Sequence, residues 1–441
     1  YFSCATVEDL AKLLYRKLHN LEDKAPETRR EAVRKITDFR SSREYAEYAQ
    51  RRISMQDAGI KDPYFVAHDS VLSDTSIVAG REVINLASYN YVGMSGHPRT
   101  MEAAKKAIDM YGTSASGSRL IAGEKSLYRE LEKAIAQWKH ADDALVMVGG
   151  HSTNVTFVGN FCNEHDLILY DALSHNSIMQ GCQLSRSDTK AFPHNDIDAL
   201  EHLLKAARDK YEKILIVVEG VYSMDGDIAP IPDFVALKKK YGAFLMVDEA
   251  HSSCVIGKNG GGVDDYFDLL PGDVDVKMGT LSKGLGTCGG YIAGEQSLID
   301  YLRYSLPGFM FSVGISPPLA AAALEAVRIM MEGNPRVAAL HENINYFVEG
   351  AQRRGFDTCL AKETAIIPIM VGEDNDAYEL STLMLEHGVF VPPAVYPAVP
   401  RHQARLRFCV ISEHKKEQLD YALDTLDKLF AQKGISKQIK A

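Results

Sequence analysis

KILIVVEGVYSMDGD (213–227), AFLMVDEAHSS (243–253) and VKMGTLSKGLG (276–286) share one plan: a short, mostly apolar run followed at once by a loop of polar and glycine residues. Each run reads as a β-strand. Working outward, ALVMV (144–148), DLILY (166–170) and YIAG (291–294) read the same way. Helical periodicity fills the intervals at 98–111, 126–139, after Gly150, after Leu173, at 196–209 and at 232–240. Strands alternating with helices predict an α/β fold with a mostly parallel central sheet covered on both faces. In such sheets ligands gather at the carboxyl ends of the strands, so GGHSTN, DALSHNS, EGVYSMDGD, DEAHSS and LSKGLG are expected to converge on one rim. Residues 61–310 are expected to form this large domain, and 311–435, with helix and strand text of their own, a smaller C-terminal α/β domain.

Composition narrows the function classes. The chain has 441 residues, 46% of them hydrophobic, and a net charge of -10. That balance argues against a nucleic-acid binder, which needs clustered Lys and Arg. Seven scattered cysteines without a CxxC pair fit reduced thiols in a cytoplasmic protein and give no zinc site. The opening YFSCATVEDLAKLLYRKLHN lacks the basic start and apolar core of a signal peptide. The most apolar late stretch, MFSVGISPPLAAAALEAVRIMM, is broken by Gly314 and Pro317-Pro318, so no membrane span is expected. Residues 21–60 hold eight acidic and nine basic side chains and read as a linker plus an exposed helix.

The loops carry chemistry. Lys283 follows a buried-looking strand among small residues, where a desolvated amine loses its proton readily and can condense with an aldehyde. Thr280 and Ser282 beside it can bond a phosphate. Asp248 ends an apolar strand, and a carboxylate there is costly unless it meets a cation such as a pyridinium N–H. His251 is three residues on, within reach of a ring hydroxyl, and His175 is placed to lie flat on a ring. Gly149-Gly150, before a helix, offers N–H groups and a positive dipole end to a phosphate. Arg405, on a late strand, can hold a substrate carboxylate, while Arg407 reads as a surface residue. DEAH also occurs in nucleotide-hydrolysing enzymes, but no GxxxxGK[ST] loop lies upstream. The GxGxxG letters at Gly284, Gly286 and Gly289 lead into a strand and not a helix, so they are not a dinucleotide site.

INLASYNYVGMSGHP, GTSASGSRLIAG, LYDALSHNSIMQG, EGVYSMDGDIAPI, VDEAHS, GTLSKGLGTCGGYIAG and ARLRF occur in this order over about residues 62–430. Together they resemble the α-oxoamine synthases, fold-type I enzymes of pyridoxal 5'-phosphate (PLP), and YNYVG and EGVYSMDGDIAPI are most similar to the serine palmitoyltransferase branch. The resemblance implies Lys283 as the Schiff-base lysine, Asp248 as the partner of the pyridine nitrogen, His251 as the ring-hydroxyl partner and His175 as the stacking histidine. It implies Gly150, His151, Ser223, Thr280 and Ser282 as cofactor contacts, and Asn90 and Arg405 as substrate contacts. Other branches place an asparagine where this chain has Tyr89. Val313 stands where many members present a hydroxyl to the neighbouring subunit's phosphate, His151 replaces a more usual Phe or Tyr, and Tyr128 sits where a histidine is common.

The implied reaction joins an α-amino acid, held by Arg405, to an acyl thioester with loss of CO2, in a homodimer whose sites both subunits complete. Rival readings of the same residues are a stand-alone synthase using CoA esters, a PLP aminotransferase or lyase, and a non-catalytic partner subunit, the last opposed by the presence of Lys283. YFSCATVEDLAKLL also resembles the last helix of an acyl carrier protein in a modular polyketide synthase. On that resemblance residues 1–20 are a carrier remnant, the acyl donor is carrier-bound, and the reaction releases a finished chain.

Overall fold

The computed structural model describes residues 36–57, 59 and 61–437. The proposed carrier remnant at 1–20, and residues 21–35 of the charged segment, lie outside them. The chain divides into two units, Tyr1–Gly59 and Ile60–Ala441. In the first, Asp38 accepts from the backbone of Arg40 to open a single 3-10 turn, and a helix follows over Arg43–Asp57.

The second unit opens with a hairpin, β1 (Thr75–Val78) and β2 (Arg81–Asn85). Its two-residue turn puts both Ala79 (φ 48°) and Gly80 (φ 75°) in the left-handed region, as the tightest hairpins require. The strands of the large sheet follow: β3 (Asp143–Met147), β4 (Leu167–Asp171), β5 (Asp188–Phe192), β6 (Ile214–Glu219), β7 (Phe244–Asp248), β8 (Val276–Thr280) and β9 (Gly290–Gly294). Their spatial order is β3-β9-β8-β7-β6-β4-β5, and only β9 runs against its neighbours. The mostly parallel sheet expected from the alternating text is thus present. The unforeseen member is β5, DTKAF, an edge strand exposed at four of its five residues, which carries no apolar pattern.

Alternate residues of the strands form the core on one face. Leu145, Met147, Ile168, Leu215, Val217, Met246, Val276, Met278 and Ile292 pack with Phe157, Ile178, Ile299 and Leu302 from the helices Gly150–Phe161, Asn176–Leu184 and Gln296–Ser305. A second sheet pairs β10 (Ile366–Gly372) with β13 (Ala404–Cys409), and β13 with β12 (Pro393–Ala394), all antiparallel. The short β11 (Val389–Phe390) joins β2 in parallel, so residues 75–85 share a sheet with residues far along the chain. Among the described residues no helix is long and apolar enough to cross a membrane.

Two buried ion pairs pin the loop that leaves β7. Lys139 lies 2.8 Å from Glu249, both fully buried, and Lys139 also donates to the carbonyl of Gly261 at 2.6 Å. Lys277 pairs with Asp264 and donates to the carbonyl of Lys139 at 2.6 Å. Removing one partner from such a pair leaves an uncompensated charge in a dry interior. Lys139→Met is therefore expected to lower unfolding stability by about 3–5 kcal/mol in urea denaturation, with Lys139→Met/Glu249→Leu recovering most of it. An unchanged midpoint in the single variant would contradict the assigned role of the pair.

Candidate active site

Lys283 is the third residue after β8, in the turn that follows the strand. The turn is tight because Gly286 adopts φ 68° and its Cα lies against the backbone of Ser95, where any Cβ would come within 2.3 Å of the Ser95 nitrogen. Lys283 Nζ meets His251 Nε2 at 2.8 Å, and His251 Nδ1 meets the hydroxyl of the buried Tyr91 at 2.7 Å. Burial holds His251 well below the usual histidine range, with Lys283 and Arg407 adding to the effect. A neutral His251 that accepts from Tyr91 and donates to a neutral Lys283 amine satisfies every atom in this row. Lys283 itself is pushed down to about 8, chiefly by burial; Asp248 opposes the shift and Arg407 reinforces it.

Asp248, the last residue of β7, accepts from Asn154 Nδ2 at 2.7 Å and from the backbone of Ala250 at 2.9 Å. Asn154 also donates to Ser177 at 2.9 Å. Across the sheet the register partner of Asp248 is Glu219, the last residue of β6. Both carboxylates are buried. Burial, and after it the charge of Asp248, holds the Glu219 carboxyl well above its usual range, which favours its protonated form. Glu219 accepts from the backbone of His175 at 2.5 Å. His175 caps the helix Asn176–Leu184, its Nδ1 lying 2.7 Å from Ser177 Oγ, and burial keeps its ring low despite Asp248. The exposed ring of His151 stands edge-on to it, 6.2 Å between centroids.

The helix Gly150–Phe161 begins at the carboxyl end of β3 and aims its free N–H groups at the same rim. A Cβ on Gly150 would lie 2.9 Å from Thr280 Oγ1, so only glycine lets the helix end approach Thr280. Thr280 Oγ1 and Ser282 Oγ are 2.8 Å apart. Gly150, Thr280 and Ser282 thus make an anion cradle of N–H and O–H donors.

Two expected substrate contacts fall elsewhere. Arg405 is buried, but its Nη1 is 2.7 Å from Asp225 Oδ1 and 3.2 Å from the carbonyl of Met224, and its Nε binds the carbonyl of Gln403. Its charge is already matched. Arg407, expected at the surface, is buried: Nε donates to the carbonyl of Ser223 at 2.6 Å, and Nη1 lies 3.2 Å from both Tyr89 Oη and Cys409 Sγ. Its Nη2 is buried without a hydrogen-bond partner. Asn90 is likewise occupied, donating to the carbonyl of Leu72 and accepting from the backbone of Ser95, both at 3.0 Å. Tyr89 faces the site instead, with Lys283 Nζ 5.6 Å and the Arg407 guanidinium 5.0 Å from its ring centre. Ser223 contributes its carbonyl and, with His175, Met179, Tyr222, Tyr396 and Val399, lines a cleft of about 560 Å3. A larger hollow of about 790 Å3 lies at the opposite ends of the strands, where Lys213 and Lys277 are already paired with Asp166 and Asp264.

A family model for aminotransferase class I and II matches residues 81–426. The chain belongs to that family. It is 41% identical over 360 residues to the 8-amino-7-oxononanoate synthase of Thermoanaerobacter pseudethanolicus, covering 82% of this chain and 91% of that protein. It is 43% identical over 349 residues to 8-amino-7-oxononanoate synthase 1 of Bacillus velezensis, covering 79% and 88%. Among solved structures, serine palmitoyltransferase from S. paucimobilis with a bound PLP–myriocin aldimine matches with a TM-score of 0.86 at 29% identity, over 90% of this chain and 99% of that one. The serine palmitoyltransferase of Sphingomonas wittichii matches equally, 0.86 at 31% identity, with the same coverage. With these relatives the chain is an α-oxoamine synthase, a PLP-dependent acyltransferase.

The residues of the synthase fit PLP. A buried amine with a lowered pKa, a carboxylate lacking a cation at hydrogen-bonding distance, a donor cradle that a Cβ would fill and an unpaired guanidinium nitrogen gather at one rim. An amine with a depressed pKa is neutral, and able to condense, at lower pH. PLP uptake by the apo-synthase is therefore expected to quicken as pH climbs through about 8 and then level off, followed by stopped-flow absorbance. A rate still climbing to the ordinary lysine value of 10.5 would contradict the desolvated environment.

Proposed function

We propose that this synthase joins an α-amino acid to an acyl thioester with loss of CO2, giving an α-amino ketone, and that Lys283 both anchors PLP and acts as the base. The observation that carries the reading is the pair of complementary groups that meet the Tyr89 ring: the buried, weakly basic amine of Lys283 and the free Nη2 of Arg407. PLP, when bound, supplies an electron sink for the amino acid's α-carbon. Asp248 then keeps a proton on the ring nitrogen, since its two acceptor bonds from Asn154 and Ala250 leave it a carboxylate in want of a cation. Gly150, Thr280 and Ser282 hold the phosphate, His175 covers the ring and His251 steadies the Lys283 amine. Arg407 holds the substrate carboxylate, which Arg405, matched by Asp225, is not free to do. Lys283 takes the proton from the α-carbon. A C–C bond forms to the acyl carbon, the thiol leaves, CO2 is lost from the former carboxylate and the α-carbon is reprotonated.

For the donor we propose an acyl chain on a carrier protein, so that condensation also releases the chain; the carrier-like text at YFSCATVEDLAKLL supports this. A free CoA ester is the second reading, favoured by 41–43% identity to the oxononanoate synthases over about four fifths of the chain. We further propose a homodimer. Ile121 and Phe311 are 85% and 82% exposed and lie on segments joined by the Ser118–Val313 bridge, an apolar surface near the rim.

Arg407→Ala is expected to raise the amino-acid KM on the order of a hundredfold, about 3 kcal/mol for a lost charge-assisted pair. Arg405→Ala should act mainly through stability. Equal effects of the two on KM would contradict the assignment. A panel of amino acids challenged with acyl-CoA and acyl-carrier thioesters, with CO2 and free thiol measured, identifies the donor. Consumption of neither thioester, with amino-group exchange instead, would move the protein to the aminotransferases.

A further inference from the structure

One cluster of buried charge, His194 with Asp171 and Asp227, lies behind the residues that line the substrate cleft and is itself part of neither that lining nor the cofactor cradle. His194, in the loop after β5, sets both ring nitrogens on carboxylates: Nδ1 lies 3.0 Å from Asp171 Oδ1 and Nε2 3.0 Å from Asp227 Oδ2. A neutral imidazole donates from one nitrogen only, and the other would turn a lone pair onto a carboxylate oxygen. The doubly protonated ring satisfies both contacts and offsets two carboxylates that are almost wholly buried. Asn195 completes the clasp, its backbone donating to Asp171 Oδ2 and its side chain to Asp227 Oδ2, each at 2.8 Å. The Tyr222 ring, which also lines the cleft, meets His194 at right angles with centroids 4.4 Å apart.

The two carboxylates adjoin two of the segments that line the cleft, 172–176 and 222–225. Asp171 ends β4, also accepts from the backbone of Leu173 at 2.8 Å, and precedes His175 by four residues. Asp227 closes the turn after β6, where Val221 bridges Ile228. That turn gives the Ser223 carbonyl to Arg407 Nε and the Met224 carbonyl and Asp225 carboxylate to Arg405.

We propose that His194 is a positioning residue: as an imidazolium it clasps the His175 loop to the Ser223–Asp225 turn, and so fixes the direction in which Arg407 presents Nη2 to the substrate carboxylate. The inference rests on Arg407 as the carboxylate anchor. The groups facing the ring are Asp171 from β4, Asp227 and Tyr222 from the turn after β6, and Asn195 from its own loop. Burial opposes the charge on His194, but the bonds to Asp171 and Asp227 outweigh it and raise the ring to about 10. A group raised in the folded state stabilises fully below its unfolded value of 6.5 and loses that contribution as pH rises through about 10.

His194→Gln keeps a donor and removes the charge. In the PLP-loaded enzyme it is expected to weaken amino-acid binding about tenfold, read by spectral titration and as KM, with much smaller changes in kcat and in cofactor affinity. His194→Gln/Asp227→Asn, which removes a carboxylate together with the charge, is expected to recover most of the loss. The Tm difference between wild type and His194→Gln should be widest at or below pH 6.5 and close as pH passes about 10. Should the single variant not fold, Asp227→Asn alone, which leaves His194 paired with Asp171, is expected to weaken amino-acid binding in the same direction. Losses of kcat with binding unmoved, or single-variant losses that simply add in the double variant, would overturn the positioning role. Arg407→Ala run alongside separates the two readings: if it weakens binding and His194→Gln does not, only the clasp fails, and if neither does, the anchor itself is wrong.

Discussion

Two carboxylates end neighbouring strands in register, Glu219 beside Asp248, and both are buried. Two anions so placed in a dry pocket cannot both stay charged without a cation between them. On the Glu219 side burial favours the protonated acid, and this residue accepts from the backbone of His175. Asp248, with one donor on each oxygen, is the half that still calls for a positive partner. On the proposed reading a protonated pyridine nitrogen would supply one, with Lys283, His251, His175 and the Gly150 cradle gathered at the same rim.

The parallel sheet makes this economical. Strands β3, β4, β6, β7 and β8 all point their carboxyl ends at one rim, so five loops distant in sequence deliver one group or more each: Gly150, His175, Ser223, His251 and Lys283. The loops are then held from below and from the side. Lys139–Glu249 and Lys277–Asp264 anchor the segment that carries His251, and Asn154 ties Asp248 to the start of the helix Asn176–Leu184 through Ser177. The second sheet closes the cleft from above with β13, whose two arginines grip the turn after β6. Rigid elements thus hold the groups proposed to react.

Most of this frame was legible in the sequence because it follows from local pattern. Apolar runs such as ILIVVE and FLMVD, buried throughout apart from Phe244, can only be central strands, and the residues that follow them can only lie on the rim. The edge strand DTKAF was not legible, since a strand with solvent on nearly every side chain needs no alternation. Arg405 and Arg407 illustrate a deeper limit. Both lie on the same face of β13, two residues apart, and what separates them is that Asp225 reaches one and only the Ser223 carbonyl, Tyr89 and Cys409 reach the other. That is a matter of long-range pairing, which spacing does not encode. Asn90 misled for a different reason: its side chain accepts from Ser95 and donates to Leu72 near it in sequence, and the neighbouring Tyr89 takes the outlook onto Lys283. Glu219 had a signal that went unused, an acidic residue at the end of a wholly apolar strand, the same sign that marked Asp248.

The most direct test of the account is the visible spectrum of the purified protein after exposure to PLP, recorded for wild type, Lys283→Ala and Asp248→Asn. The wild type is expected to be yellow with a Schiff-base band that withstands dialysis, Lys283→Ala to lose the band, and Asp248→Asn to keep the lysine linkage but bind the cofactor more weakly. A wild type that stays colourless, or a band that survives in Lys283→Ala, would contradict it.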